Sequence, residues 1–164
     1  MLSDNVVRIF SGTIANVFIE AGGQKVNAVF LAAKAKVESS GGTSTLARGT
    51  VEGYRGWYNF YGLGASDGAN SDKNGAKYAK QNGWNTPDKA IKGGVQIIYE
   101  RYVNTGKDTL YTMKWAIAKY INTGHVQNAQ YATNIMDAYI KASNFAKGLK
   151  DIDAPLTFVI PVYK

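Results

Sequence analysis

The feature of this sequence that most constrains its fold is a glycine- and aromatic-rich segment, from Gly49 to Asp72, which interrupts helical periodicity. On both sides of the segment, apolar residues recur at intervals of three and four positions, as they do in amphipathic helices. Inside it, residues 50–55 and 57–63 combine aromatic side chains with turn-forming glycines, and this pattern indicates short strands. The sequence therefore predicts an α+β fold with a mainly helical lobe, a small β lobe and a groove between them.

Apolar spacing and capping residues predict where the helices lie. One helix is expected over residues 4–20 and a second over 25–38, ending before Ser39-Ser40-Gly41-Gly42. Thr86-Pro87-Asp88 has the composition of a helix start, and that helix is expected to end at Gly106. The predicted apolar face of the second helix consists of Val26, Val29, Phe30, Ala33 and Val37. The other predicted elements are helices at 74–82, from Asp108 and at 129–145, and an edge strand at 156–163.

The chain has no internal repeat and no interdomain linker. A length of 164 residues suits one compact domain with a hydrophobic core. We therefore expect residues 1–164 to form a single monomeric domain, either alone or as part of a longer chain. The first ten residues lack a basic stretch followed by an apolar one, so no signal peptide is visible, and no apolar run is long enough to span a membrane.

The amino-acid content excludes several kinds of chemistry. The chain has no cysteine and one histidine, His125, so disulfides, thiolate nucleophiles and histidine-rich metal sites are ruled out. We therefore expect no metal and no other cofactor, and an activity that excess chelator leaves unchanged. The 11 tyrosines, 3 tryptophans and 6 phenylalanines are numerous enough both to fill a core and to stack on sugar rings.

The net charge of +7, from 19 basic and 12 acidic residues, favours polyanionic partners. The basic residues are scattered, with no run of five or more, and this argues against a dedicated nucleic-acid surface. We therefore expect no nucleic-acid partner and keep an anionic cell-wall polymer as a candidate.

Glu38 is placed at the C-terminus of the second predicted helix. Cleavage of a glycosidic bond needs a protonated carboxyl group beside the leaving oxygen. The partial negative charge of a helix C-terminus disfavours a further negative charge, and apolar neighbours such as Val37 act in the same direction. Lys34, one turn earlier on the same face, would oppose this effect if it contacted Glu38. Position alone makes Glu38 only a candidate acid, because many helices end in a solvated glutamate.

The residues around Glu38 carry a resemblance to a known family. The stretch from Val37 to Ala47, VESSGGTSTLA, resembles the glutamate motif of the glucosaminidase family of cell-wall hydrolases, glycoside hydrolase family 73. Further similar segments follow in the family's order: YNFYGLGA at 58–65, GWNTP at 83–87 with AIKGG at 90–94, DTLYTMKW at 108–115, QYATN at 130–134 and FVIPVY at 158–163. The resemblance covers roughly residues 26–163.

The resemblance implies a lysozyme-like fold and an enzyme that cleaves the β-1,4 bond between N-acetylglucosamine and N-acetylmuramic acid in peptidoglycan. It implies that Glu38 is the general acid and that Tyr131, in the QYAT segment, positions substrate or water. Gln130, in the same segment, is expected to contact the glycan. A member of this family is expected to be secreted and to act at the bacterial cell wall.

The second catalytic group is left open. Asp67 ranks first, Glu52 second and Asp72 third, because all of them lie in or beside the predicted β lobe, which should face Glu38. The substrate's own N-acetyl group is the alternative to a protein carboxylate.

Aromatic and amide side chains are expected to line the groove. Strand alternation would place Tyr58 and Phe60 on one face and Trp57 and Asn59 on the other, so that only one pair touches sugar directly. Trp115 is a further candidate for substrate binding, with a place in the core as the alternative.

Two positions depart from the family pattern and leave substrate preference open. Ala116-Ile117 follows the MKW segment where Asn-Pro is common, and Ala129 precedes QYAT where His is common. Two alternative functions also remain. One is a lytic transglycosylase-like cleavage of the same polymer by a single glutamate, and the other is a non-catalytic cell-wall-binding module on the same fold.

Overall fold

The computed structural model describes residues 13–66, 68–109 and 112–113, together with residues 136, 140 and 143. The chain divides into two compact units, Met1–Arg101 and Tyr102–Lys164. The described helices of the first unit are α1 (Thr13–Gly22), α2 (Ala28–Glu38), α3 (Thr45–Arg48), α4 (Ser71–Gln81) and α5 (Pro87–Arg101). The second unit contains a 3-10 helix at Val103–Thr105. That residues 1–164 form one catalytic domain stays a prediction.

The core of the first unit lies where α1 packs against both α2 and α5 and where α3 packs against α4. The large apolar side chains buried in this core include Phe18, Leu31, Leu46, Ile91 and Ile98.

A surface ion pair also links α5 to α1. The Lys92 ammonium group donates a hydrogen bond of 2.9 Å to a carboxylate oxygen of Glu20. This hydrogen bond and the negative charge of Glu20 raise the pKa of Lys92.

Polar side chains fix where two of the helices begin. The Asn27 side chain accepts hydrogen bonds from the backbone N–H groups of Val29 and Phe30, at 2.9 and 3.1 Å, so α2 begins at Ala28 rather than at residue 25. The Thr86 hydroxyl accepts a hydrogen bond of 3.2 Å from the backbone N–H of Lys89, which confirms the predicted start of α5. That helix ends at Arg101, before the 3-10 turn, and not at Gly106.

The predicted apolar face of α2 is wrong in part. The residues that α2 buries are Leu31, Lys34 and Ala35, whereas Val29 is 36% exposed. Phe30, Ala33 and Val37 are only half-buried. The sequence of α2, AVFLAAKAKVE, is apolar on nearly every side, so periodicity gives little direction, and packing against α1 selects the buried face.

The predicted β lobe is wrong for the described part of the chain, in which no strand occurs. Residues 50–63 form successive turns instead. Their backbone N–H groups bond to separate partners: Gly56 to Gly49, Tyr58 to Trp84 and Asn59 to Leu46. A ladder needs consecutive extended residues, and the glycines that prevent this, with φ between 62° and 83°, are Gly49, Gly53, Gly56, Gly62 and Gly64.

The predicted groove between a helical lobe and a β lobe is wrong in the same respect, because the residues expected to form its β wall form turns in the described part of the chain. The closing strand predicted at 156–163 and the helix predicted at 129–145 lie outside the described residues, apart from the isolated positions 136, 140 and 143.

The remaining helix predictions are close to the structure. The helix expected at 4–20 is described from Thr13 and continues to Gly22, and the helix expected at 74–82 spans Ser71–Gln81. Of the helix predicted from Asp108, the described residues 112–113 are helical. Within the described ranges, no helix is both long and apolar enough to cross a membrane.

Two adjacent glycines in α5 allow aromatic rings to touch the helix backbone. A Cβ atom at Gly93 would lie 2.1 Å from Nε1 of Trp84, and one at Gly94 would lie 2.4 Å from Cδ2 of Tyr61. Both rings are buried, with Trp84 3% and Tyr61 2% exposed. Because interiors are close-packed, neither ring has free space into which it can shift. The AIKGG segment therefore serves ring packing in the core.

This packing predicts the effect of an alanine in α5. Gly94→Ala gains helix propensity, about 1 kcal/mol, but forces the buried Tyr61 ring to move, and overpacking costs about 1–3 kcal/mol. Because a Cβ atom 2.4 Å from a buried ring is a severe overlap, the cost should lie near the upper end of this range, and we expect a net loss of about 2 kcal/mol in the free energy of urea unfolding. The control is Gln96→Ala at an exposed position of the same helix, which should change stability by less than about 0.5 kcal/mol. A Gly94→Ala variant as stable as the parent would contradict this account.

Candidate active site

Glu38 is the last residue of α2, as the sequence predicts. Behind it, Ser39 is fully buried and caps the helix: its backbone N–H donates to the Ala35 carbonyl at 2.9 Å. The Ser39 hydroxyl accepts a hydrogen bond of 2.8 Å from the backbone N–H of Gly42. The chain then turns sharply through residues 40–42, all of which have positive φ. These contacts fix the backbone that carries Glu38.

The Glu38 carboxylate contacts Lys34, one turn earlier on α2. The Lys34 ammonium nitrogen lies 3.5 Å from Oε1 of Glu38. Lys34 is 2% exposed and Glu38 is 24% exposed, so the ammonium group is inside the protein while the carboxyl group reaches the surface. The contact between Lys34 and Glu38 that the sequence left open is therefore present.

The other oxygen of Glu38 faces a turn formed by residues 59–63. A Cβ atom at Gly62 would lie 3.8 Å from Oε2 of Glu38, so the backbone of this turn is next to the carboxyl group. The turn belongs to the YNFYGLGA segment that resembles the family motif. The structure thus brings this segment and Glu38 together.

The residues expected to line a groove do not alternate between two faces. Asn59 and Phe60 are each 1% exposed, which corrects the predicted alternation and leaves neither side chain at the surface. Trp57 and Tyr58 are half-buried. The Tyr58 ring lies against Gly49, where a Cβ atom would come within 2.9 Å of Cε1. Trp57 and Tyr58 remain the predicted sugar contacts in this segment.

The candidate second carboxylates have different surroundings. Glu52 is exposed and follows Val51, which packs with Leu46 and Ala76. Asp72 accepts a hydrogen bond from the Thr45 hydroxyl and so links α3 to α4. This structural role was not anticipated from the sequence.

Several predicted site residues lie outside the described part of the chain. These are Asp67, Trp115, Gln130 and Tyr131. Their proposed roles stay predictions. Among the described residues, no three His, Asp or Glu side chains are grouped so as to hold a metal ion.

The sequence reasoning missed two features of this site. It did not anticipate that Lys34 is buried, although the neighbouring alanines at 33 and 35 and the spacing of four residues from Glu38 were signals. It also did not place Gly62 beside Glu38, because no local pattern encodes a contact between α2 and a turn more than twenty residues later.

The ion pair between Lys34 and Glu38 should give the two side chains a measurable coupling energy in protein stability. Glu38→Gln removes the carboxylate from a buried ammonium group and should destabilise the fold, whereas adding Lys34→Met should restore part of the loss. We expect a coupling energy of about 0.5–3 kcal/mol in a double-mutant cycle measured by urea unfolding. Additive effects of the two substitutions would contradict this.

The matched control for that cycle is the ion pair between Lys92 and Glu20. It is shorter, at 2.9 Å, but its side chains are 48% and 61% exposed. Because water and salt screen exposed charges, its coupling should be smaller than that of Lys34 with Glu38.

Comparisons with known proteins show similarity over most of the chain. It is 36% identical over 155 residues to a beta-N-acetylglucosaminidase of Bacillus subtilis, and the match covers 92% of this chain and 17% of that protein. It is 38% identical over 149 residues to a bifunctional autolysin of Staphylococcus aureus, covering 85% of this chain and 11% of that protein. The chain therefore spans less than a fifth of the length of these relatives. No protein-family model matches it.

Solved structures give the same relationship. The crystal structure of S. aureus autolysin E matches with a TM-score of 0.74 and 33% identity, over 94% of this chain and 66% of that one. A catalytic mutant of autolysin E, in which alanine replaces a glutamate, was solved with the disaccharide NAG-NAM and matches with a TM-score of 0.65 and 36% identity, over 82% of this chain and 58% of that one. By sequence and by structure, this chain is a homologue of the bacterial β-N-acetylglucosaminidases and autolysins, the family that its motifs resemble.

Proposed function

We propose that this chain is a peptidoglycan hydrolase that cleaves the β-1,4 bond between N-acetylglucosamine and N-acetylmuramic acid, with Glu38 as the general acid. The observation that carries the proposal is a partly exposed glutamate at the end of α2, inside the segment that resembles the family's glutamate motif. The homologues support it, because autolysin E has been solved with NAG-NAM as a catalytic glutamate mutant and with a muropeptide, NAM-L-ALA-D-iGLU.

The chemistry assigned to Glu38 is proton donation to the glycosidic oxygen. As the bond between C1 and that oxygen breaks, the oxygen keeps the electron pair and the proton, and the sugar develops oxocarbenium character. Glu38 becomes a carboxylate. A water molecule then adds its oxygen to C1 of the sugar, and the proton that this water releases restores the Glu38 carboxyl group for the next turnover. Its exposure of 24% permits contact with both substrate and water.

The group that stabilises or captures the sugar cation is a separate part of the proposal. Asp67 remains the first candidate and Glu52 the second, with the substrate's N-acetyl group as the alternative. Asp72 stays third, and its carboxylate already accepts a hydrogen bond from the Thr45 hydroxyl. We propose Tyr131 as the residue that positions substrate or water, and the proposed sugar contacts are Trp57, Tyr58, Trp115 and Gln130.

The site of action proposed for this chain is the bacterial cell wall, where a single domain formed by residues 1–164 would act as a monomer. The support is the similarity to autolysins and the chain's resemblance to secreted wall hydrolases.

The first experiment is a digest of purified peptidoglycan with the parent chain and with Glu38→Gln, followed by borohydride reduction and mass spectrometry. We expect new reducing-end N-acetylglucosamine from the parent and a loss of about a hundredfold or more in rate with the variant, since a general acid contributes about 10²–10⁴-fold. Glu52→Gln tests the second carboxylate, and Glu100→Gln, at an exposed position of α5, is the matched control that should keep the parent rate. Urea unfolding of each variant separates chemistry from stability.

The other functions appear as distinct outcomes of the same digest. Reducing-end muramic acid would mean a muramidase, and anhydro-muramic ends would mean a transglycosylase. A folded parent chain that binds glycan without cleaving it would be a binding module. Glu38→Gln retaining a tenth or more of the parent rate would remove Glu38 from the catalytic role.

A second partner is favoured by the exposed face of α4. Lys73, Lys77 and Lys80 are exposed and spaced at three and four residues along it, so they share one side of the helix. The opposite side, with Gly75, Ala76 and Ala79, is buried. We propose that this lysine face binds anionic cell-wall polymers, in line with the net charge of +7.

A wall-binding assay tests the lysine face. Replacing Lys73, Lys77 and Lys80 by Gln should weaken binding to phosphate-polymer-containing walls by about tenfold at low salt, the lower end of the range for electrostatic steering. The control replaces Lys25, Lys89 and Lys92, which lie on other elements, and lowers the net charge equally, from +7 to +4. Equal losses from both triple variants, or binding that does not depend on salt, would contradict a specific lysine face.

A further inference from the structure

Asparagine followed directly by glycine occurs twice in the sequence, and both copies belong to α4 or to the turn that ends it. Asn74-Gly75 lies in the middle of the helix, and Asn82-Gly83 follows its last residue. Such a pair is chemically reactive, because the glycine nitrogen can attack the asparagine side-chain carbonyl carbon without hindrance from a Cβ atom. Two copies in one helix allow the effect of structure on this reaction to be separated from the effect of sequence.

The first copy is held in place by hydrogen bonds and by the core. The Asn74 backbone N–H donates to the Asn70 carbonyl at 2.9 Å, and the Asn74 side-chain amide donates to the Ser66 hydroxyl at 3.1 Å. Gly75 is buried, and a Cβ atom there would lie 3.0 Å from Cδ1 of Leu46. Attack by the Gly75 nitrogen on Asn74 therefore requires the middle of α4 to leave the core.

The second copy lies at the end of the helix, where the backbone is easier to open. Asn82 and Gly83 are both exposed, and a Cβ atom at Gly83 would have no other atom within 4 Å. The Gly83 backbone N–H donates to the Lys80 carbonyl at 3.1 Å, and the Asn82 side chain donates to the Tyr78 carbonyl at 2.8 Å. Because the last turn of a helix frays more readily than its interior, these two hydrogen bonds can open while the buried part of α4 stays folded.

We propose that Asn82 is a site of spontaneous deamidation in the folded protein. After local opening, the Gly83 backbone nitrogen loses its proton to hydroxide and forms a bond to the side-chain carbonyl carbon of Asn82. The bond from that carbon to the side-chain nitrogen breaks, and the nitrogen leaves as ammonia with a proton from water. Water then opens the cyclic imide at either of its carbonyl groups, which yields aspartate or isoaspartate at position 82.

The product weakens the connection between α4 and α5. A carboxylate at position 82 cannot donate the hydrogen bond that the Asn82 amide makes to the end of α4, and the partial negative charge of the helix C-terminus disfavours it. Trp84, two residues later, is 3% exposed, and its backbone N–H donates to the Ala79 carbonyl at 2.9 Å. Isoaspartate also adds a methylene group to the main chain between Ala79 and Trp84, which disturbs this hydrogen bond.

The test compares the two asparagines in the folded and the unfolded chain. The parent chain is incubated at mildly alkaline pH in water labelled with heavy oxygen, with and without urea, and its peptides are analysed by mass spectrometry. In the folded chain, we expect Asn82 to deamidate about tenfold or more faster than Asn74, since a helix end opens at a lower cost in free energy than a buried helix middle. In urea, the two rates should agree within about threefold, because both asparagines precede glycine and neither is protected.

Matched variants connect the reaction to the residue and to its structural effect. Asn82→Gln should remove the labelled product at this position, because the longer side chain closes a ring far more slowly, whereas Asn74→Gln should leave the rate at Asn82 unchanged. Asn82→Asp, which has the structure of one product, should lower the midpoint of urea unfolding by about a few tenths of a molar. Asn82→Gln, which keeps an amide donor, should lower that midpoint by less.

Two outcomes of the incubation would overturn the proposal. Equal rates at Asn74 and Asn82 in the folded chain would mean that both react only when the whole chain unfolds. Labelled product at Asn82 in urea but none in the folded chain would mean that the end of α4 protects this residue. An unfolding midpoint that Asn82→Asp leaves unchanged would overturn the structural effect assigned to the product.

Discussion

The hydrogen bonding of the Asn59 amide is the constraint on which the middle of the first unit depends. Residues 50–63 form turns and not strands, so their backbone polar groups have no regular ladder to pair with. Asn59 replaces part of that ladder by binding backbone groups of Tyr61, Leu63 and Gly75. A buried amide is tolerated because its donors and acceptors are all engaged. The same amide anchors the turn to α4 through Gly75, and Gly62 of that turn lies next to Glu38.

Glycines and aromatic rings form a second, complementary constraint. Tyr58 lies against Gly49, Tyr78 against Gly64, and Trp84 against Gly93, each at a distance that a Cβ atom would violate. Trp84 also meets Tyr78 edge to face, with ring centroids 5.6 Å apart. The aromatic content that suggested sugar binding therefore serves packing to a large extent in this unit. The glycines of this unit therefore have two roles: they form turns, and they allow an aromatic ring to lie directly against the backbone.

The parts of the fold that local chemistry determines could be predicted from the sequence. Thr86 caps α5, and the run from Ser39 to Gly42 ends α2 directly after Glu38. The β lobe could not be predicted correctly, because aromatic residues separated by glycines suit short strands and consecutive turns equally, and only the sign of φ separates the two. The buried face of α2 was predicted wrongly for a related reason. Apolar residues lie on nearly every side of this helix, so no distinct apolar stripe marks the side that is buried. The contact of Gly62 with Glu38 depends on tertiary packing, which spacing along the chain does not reveal.

The ion pair between Lys34 and Glu38 places a positive charge where the proposed reaction generates a negative one. In that reaction Glu38 gives up a proton, so negative charge develops on its carboxyl group. The Lys34 ammonium nitrogen is already 3.5 Å from Oε1 of Glu38, and the Lys34 side chain is only 2% exposed. An ammonium group held in place in this way would stabilise the developing charge without reorganisation. The ion pair therefore links the packing of α2 to the proton transfer that we propose.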